Sequence, residues 1–129
     1  MTAETKLNGF GEHIGIAIDM VAPGEARLSL NLERHHRNFF GIVHGGVILT
    51  LLDQTCGVAL RSAGPEGAAQ GSVTIDLQTV FIAAAKGDRL IGIGTCLRRG
   101  KSVAQCAARV EDADGALVAT ANGTFKILG

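Results

Sequence analysis

The sequence predicts an α+β domain in which an antiparallel sheet holds one buried helix. Three observations carry this expectation. Residues Glu25 to Glu33 alternate strictly between apolar and polar; Val43 to Arg61 form a proline-free run with apolar side chains on nearly every side; and four strand-like segments separated by turn signals follow that run.

Taken in chain order, an early strand covers roughly Ile14 to Val21, and Pro23-Gly24 turns it back. In the strand that follows, Ala26, Leu28, Leu30 and Leu32 fall on one side, with Glu25, Arg27, Ser29, Asn31 and Glu33 on the other. That period of two marks a half-solvated antiparallel strand, and the pair makes a hairpin. The run Val43 to Arg61 includes Val47, Ile48, Leu49, Leu51, Leu52, Cys56, Val58, Ala59 and Leu60. It is too long for an ordinary strand and suits a helix buried over most of its circumference. Gly64-Pro65-Glu66-Gly67 ends it. Strand character returns at Ser72 to Ile82, Arg89 to Leu97, Ser102 to Glu111 and Leu117 to Ile127, with turns at Ala85-Lys86-Gly87-Asp88, Arg99-Gly100-Lys101 and Asp112-Ala113-Asp114-Gly115. A flat sheet on one side cannot cover a helix that is apolar all round. The sheet must therefore curl, and any stripe left uncovered must meet another chain or a ligand.

Composition narrows the function. The 129 residues carry 12 basic and 12 acidic side chains, 47% apolar content and two prolines. A chain of this size buries about 60–70% of its surface, enough for one core without staples, and residues 1–129 read as a single domain with no linker or repeat. A pI near 6.9 and five Phe without Trp or Tyr argue against nucleic acid as a partner. Cys56, Cys96 and Cys106 are odd in number and irregularly spaced, which disfavours a disulfide frame and points to a reducing compartment. Met1 to Lys6 lack a basic region followed by an apolar stretch, and no window approaches the ~20 apolar residues that span a bilayer. A cytoplasmic protein with no membrane partner is expected.

The informative segment is Asn38 to Asp53. Asp53 is an ionisable group in an otherwise apolar helix, a placement that costs several kcal/mol unless the carboxylate is paired or opens onto a cavity. Alternatively it is a surface acid on a stripe of small or polar residues, Gly46, Thr50, Asp53 and Gly57, which would also suit a close-packed interface. His44-Gly45-Gly46 falls at the helix start, where unpartnered N–H groups and the macrodipole favour developing negative charge. The Gly45 N–H is the natural donor of an oxyanion hole there, unless the two glycines merely ease the chain into the helix. His44 and Asp53 lie nine positions apart, hence on opposite sides of one helix and separated by roughly 13 Å along its axis. They act on one substrate only if two antiparallel helices lie side by side across a two-fold axis.

The pattern Asn-x-x-Gly-x-x-His-Gly-Gly with an Asp nine residues after the His, here Asn38, Gly41, His44, Gly45, Gly46 and Asp53, resembles the hotdog-fold acyl-CoA thioesterases of the phenylacetate-degradation (PaaI-like) group. The resemblance runs over about the whole chain: residues 71–77 resemble the family's third strand, 84–88 its next turn and 115–119 its last strand. It implies a hotdog fold, a curled antiparallel sheet of about six strands around one long central helix. It also implies hydrolysis of an acyl-CoA to free acid and coenzyme A. Asp53 would activate water as general base or attack the carbonyl itself, and the Gly45 amide would polarise that carbonyl. Asn38 and His44 would orient the thioester or the water from the same protomer as Gly45. A third-strand hydroxyl would hold the carboxylate: Thr74 is the matching position, and Ser72 the alternative because the preceding loop, Ala63 to Gln70, is long. Gly46 and Ser72 would touch the substrate. A homodimer, and by resemblance a dimer of dimers, is implied, with no cofactor beyond the coenzyme A of the substrate.

Coenzyme A is polyanionic, so the turn Arg98-Arg99-Gly100-Lys101-Ser102 is the first candidate for its phosphates, with Arg34, Arg37 and Arg61 behind it. Basic hairpin turns are also often simply solvated. His35-His36 with His44 suggests a metal, but adjacent histidines on an extended segment point to opposite sides and no further ligand is well spaced, so no metal is expected. His13 and the cysteines read as packing or surface residues. Phe39, Phe40 and Phe81 suit an aryl or a medium aliphatic acyl tail equally well. Two other classes remain: a non-hydrolytic acyl-CoA binding module, and a hotdog dehydratase or hydratase, which would bring its catalytic His and acid in another arrangement.

Overall fold

The computed structural model describes residues 7, 9–65 and 71–128. A short helix α1 (Phe10–Ile14) precedes strands β1 (Ala17–Ala22) and β2 (Glu25–Asn31). A 3-10 turn at Arg34–His36 leads to helix α2 (Gly45–Ser62), and β3 (Ser72–Phe81), β4 (Arg89–Arg99), β5 (Val103–Asp112) and β6 (Leu117–Ile127) follow. The six strands form one antiparallel sheet in the order β1-β2-β4-β5-β6-β3, which places β1 and β3 at its edges. The predicted α+β arrangement of strands around a long helix is the observed one.

The core lies between α2 and the concave side of the sheet. Leu51, Leu52, Cys56, Val58, Ala59 and Leu60 are buried there with Leu28, Leu30, Leu90, Val110 and Phe125. Glycine on β4 sets how near the helix comes. A Cβ at Gly92 would run into Thr55 Oγ1, and one at Gly94 would stand 2.8 Å from Thr55 Cγ2 and 3.2 Å from the Thr55 carbonyl oxygen. The helix backbone therefore rests directly on the strand, and the Thr55 hydroxyl avoids an unmet bond by donating to Leu51 O at 2.6 Å.

Several boundaries differ from the sequence expectation. Residues expected to open the first strand at Ile14 close α1 instead, and β1 begins at Ala17. Helix α2 starts at Gly45 rather than Val43, because His44 is its N-cap, and β2 stops at Asn31, where Leu32 N–H donates to Asp88 O at 2.7 Å. Of the expected helix-ending tetrad, Glu66 and Gly67 lie outside the described residues, as do most of the 63–70 loop and residues Met1 to Lys6. Ser62 Oγ accepts from Gly24 N–H at 3.0 Å, joining the end of α2 to the β1–β2 turn.

The β5–β6 turn is built on Asp112. One carboxylate oxygen accepts from the Asp114 and Ala116 N–H groups, the other from Lys86 N–H, all at 3.0 Å. The Lys86 N–H bond first, then those from Ala116 and Asp114, hold this carboxyl below the usual carboxylate range against an opposing desolvation. Among the described residues no helix is long and apolar enough to cross a membrane.

Candidate active site

The loop entering α2 is shaped by the Asn-x-x-Gly part of the motif. Asn38 Oδ1 accepts from Phe40 N–H at 2.9 Å and Ile42 N–H at 3.1 Å, while its own N–H donates to Ile42 O at 2.7 Å. Gly41 takes φ 79°, a conformation that a side chain would strain, which explains the glycine three residues after the Asn. Arg37 braces the same loop, donating to Gly41 O and to Asp88 Oδ1, each at 3.3 Å. At the tip, Phe39 and Phe40 meet edge to face with centroids 5.6 Å apart, both exposed.

His44 caps the helix: its Nδ1 accepts from Gly46 N–H at 2.8 Å. The Val47 N–H donates to His44 O at 3.0 Å and the Ile48 N–H to the same oxygen at 3.4 Å. Of the four N–H groups that open α2, only that of Gly45 has no acceptor among the described residues. Phe81, at the far end of β3, lies over it, since a Cβ at position 45 would stand 3.6 Å from the Phe81 ring. The first turn thus leaves one backbone donor at the positive end of the helix dipole.

Asp53 is half-buried two turns further on, with Gly46, Thr50 and Gly57 along the side of α2 left partly open by the sheet. Thr74 Oγ1 donates to Asp53 Oδ1 at 2.6 Å. A bulge in β3 aims that hydroxyl: Ile75 is left without a partner between the Thr74–Phe125 and Asp76–Thr124 pairs. No hydrogen bond from Ser72 to Asp53 occurs among the described residues. An open cleft of about 320 Å³ lies beside the pair.

The predicted site residues therefore fall into three groups. Asn38, His44, Gly45 and Gly46 form one, at the start of α2. Asp53 and Thr74 form the second. Arg98, Arg99 and Lys101 form the third, near the opposite end of the helix, where Arg99 donates to Leu60 O at 3.0 Å and packs against Gly64. A cation there complements the helix dipole, so Arg99 has a structural part that its sequence context concealed. Arg98 and Lys101 are exposed.

The expectation that His35 and His36 point apart is wrong, because the segment is a 3-10 turn and not extended; their rings lie 4.1 Å apart. Their proximity makes no metal site, since no group of three ligand-type side chains converges among the described residues. His36 is buried and its ring is fully engaged: Nδ1 accepts from Glu33 N–H at 2.9 Å and Nε2 donates to Ile14 O at 2.7 Å. Sequence reasoning missed this role. Cys96 and Cys106 face each other across β4 and β5. Burial pushes the Cys96 thiol up to about 11; a hydrogen bond with Cys56, then burial, pushes Cys106 the same way. Thiols held protonated in this manner are packing groups.

Known proteins can be set beside this geometry. A family model for the thioesterase superfamily matches residues 40–119. Human acyl-coenzyme A thioesterase 13 is 32% identical over 104 residues, covering 79% of this chain and 72% of its own. A candidate esterase of Halobacterium salinarum is 32% identical over 129 residues, covering 93% of this chain and 85% of its own. The solved structure of a conserved Pseudomonas aeruginosa protein superposes with a TM-score of 0.89 at 29% identity, covering 99% of this chain and all of that one. Because the family match runs from Phe40 through the helix that carries Asp53 and on across β3, β4 and β5, the chain belongs to the thioesterase superfamily and is a thioester hydrolase of hotdog fold.

Proposed function

We propose that the protein is an acyl-CoA thioesterase of the PaaI-like group, acting in the cytoplasm on an aryl or medium-chain acyl-CoA at a site shared by two antiparallel copies. The observation that carries this reading is the Thr74–Asp53 bond of 2.6 Å on the open side of α2, while the uncommitted Gly45 N–H stands at the helix start. Within one protomer the two fall on different turns, so the carboxylate of one copy meets the Gly45 amide of the other. β3 supports such a pairing. It is an edge strand whose Val73, Ile75, Val80 and Phe81 are exposed, and an apolar edge of this length is a template for another chain.

In this reading the thioester carbonyl oxygen accepts from Gly45 N–H, and the positive end of the helix dipole stabilises the oxyanion as it forms. Asp53 drives the attack by removing a proton from water or by adding to the carbonyl itself, with Thr74 fixing the carboxylate in either case. On the general-base route, collapse of the tetrahedral intermediate breaks the carbon–sulfur bond and releases the free acid and coenzyme A thiolate, which takes up the proton removed from water. On the nucleophilic route the same collapse expels the thiolate and leaves an acyl anhydride on Asp53, which water then hydrolyses to the free acid and the Asp53 carboxylate. Asn38 and His44 act on the loop and first turn that present Gly45, since Asn38 Oδ1 and His44 Nδ1 are engaged there. Gly46 and Ser72 are assigned as substrate contacts. Arg98 and Lys101, with Arg99 anchoring their turn, are assigned to the phosphates of coenzyme A.

The test is thiol release from a panel of acyl-CoAs by wild type and Asp53→Asn. Turnover by wild type and its loss in the variant are expected; equal turnover by both removes Asp53 from the chemistry, and binding without turnover by both favours a binding module. A single turnover in ¹⁸O-labelled water then tests for the nucleophilic route, because label in the Asp53 carboxylate arises only when water opens an anhydride at the Asp53 carbonyl.

A further inference from the structure

Of the four histidines, His13, His35 and His44 are exposed, and His36 alone is buried, with 1% of its area accessible. A polar ring withdrawn from water is costly unless both nitrogens find partners. Here the partners also fix the tautomer. Glu33 N–H, 2.9 Å from Nδ1, can only donate, and Ile14 O, 2.7 Å from Nε2, can only accept, so Nδ1 carries the lone pair and Nε2 the proton.

Both partners are themselves anchored. Helix α1, which ends at Ile14, settles on α2 through Gly11, where a Cβ would stand 2.9 Å from Leu7 Cδ1 and 3.3 Å from Gln54 Oε1. Next to Glu33, the Leu32 N–H is held by Asp88 O at 2.7 Å. The ring passes this support on through its own backbone. His36 O accepts from His44 N–H at 2.9 Å, and Arg37 and Val43 form an isolated antiparallel bridge just inside that bond. The loop 37–43 is thereby pinched shut at its base, with His36 on one side of the neck and His44 on the other.

The neck leads straight to the oxyanion donor. The Gly45 N–H belongs to the peptide plane that follows His44, so its direction is set by the His44 backbone, here at φ −63° and ψ 134°. Two bonds hold that residue: its N–H donates to the His36 carbonyl, and its ring accepts from Gly46 N–H. The first of them ties the Gly45 amide to a buried ring that touches neither the carboxylate nor the cleft.

We propose that His36 is a positioning residue for the hydrolysis: pinned between Ile14 and Glu33, it holds the carbonyl that orients His44 and, through His44, the Gly45 N–H. The inference rests on the reading of Gly45 as the oxyanion donor given above. An amide that swings out of line loses more against the oxyanion of the transition state than against the bound substrate, so the effect falls on kcat rather than KM. A side chain that only filled the core would lower stability and leave kcat per folded molecule alone.

The test uses the full chain, a panel of acyl-CoAs, and S-alkyl-CoA thioethers, which lack the carbonyl oxygen. His36→Leu removes both ring bonds, and His36→Gln offers an amide N–H to Ile14 O again. In His36→Leu kcat should fall roughly ten- to hundredfold, short of losing an oxyanion donor outright. It should recover in part in His36→Gln, while KM and thioether affinity change little in both. As a control, Leu28→Ala in the core should lower Tm and spare kcat per folded molecule. In ¹H–¹⁵N spectra the Gly45 amide should move in His36→Gln while that of Gly115, in the β5–β6 turn, stays in place. Unchanged kcat in His36→Leu, an equal loss in kcat and thioether affinity, or failure of both variants to fold overturns the positioning role. A displaced Gly45 resonance with no acyl-CoA cleaved by wild type keeps that role and sinks the hydrolase reading; cleavage by wild type with kcat unmoved in the variants does the reverse.

Discussion

The two sides of α2 obey different rules. Toward the sheet, Leu51, Leu52, Cys56 and Val58 are wholly buried, and volume decides what each position accepts. Away from it, Gly46, Thr50, Asp53 and Gly57 stay partly open, and the named contacts are hydrogen bonds of 2.6 to 2.8 Å made by Thr74, Thr50 and His44. One helix therefore carries a face that holds the fold together and a face that holds a carboxylate where an apolar residue would be more stable. Stability and activity should separate along that line.

The largest effect expected is on activity. Asp53→Asn should lower kcat about 10²- to 10⁴-fold, the range for losing a positioned acid or base, while Tm stays level or rises because a half-buried charge is gone. Steady-state kinetics with thermal melts decides it, and a large fall in Tm would break the division between the faces. Next comes Leu52→Ala on the sheet side, expected to cost about 2–5 kcal/mol in denaturant unfolding with kcat per folded molecule unchanged. His44→Ala sits on the boundary. Loss of the cap should cost about 0.5–2 kcal/mol and also reduce kcat by loosening the turn that presents Gly45, so both readouts should move in one variant.

Asp112→Asn probes the sheet far from α2 and should move stability alone. Its carboxyl has a lowered pKa in the folded state, so the stability it contributes is present above the ordinary value of 3.8 and is lost as pH falls through the folded value. Melts of wild type and variant should differ at neutral pH and converge in strong acid. A constant gap across that range would show that the charge is not what the turn uses.

Much of this division was legible in the residues. Alternation from Glu25 onward and the apolar run after Val43 express the burial that organises the sheet and the helix, because periodicity is a direct image of burial. The Asn38 to Asp53 motif located the groups at the helix start and the acid on its open side. What it left open was the hydroxyl on β3, since the bulge at Ile75 that aims Thr74 is a register effect between strands. Helix α1 was not legible. Five residues carry no readable period, and its position comes from the missing Cβ of Gly11 and a distant His36 ring. Arg99 was read as a ligand group because the chain gives no hint that its turn folds back on Leu60.

Gly92 and Gly94 touch neither the carboxylate nor the cleft, yet they fix how deep the helix sinks toward the sheet. Adding even a methyl group at either one would jack the helix upward and stretch the reach of β3 to it, so the 2.6 Å grip of Thr74 on Asp53 is calibrated from beneath by two absent side chains. Reactivity in this molecule can thus be detuned from the far side of the core, by positions that a search confined to the substrate's neighbours would pass over.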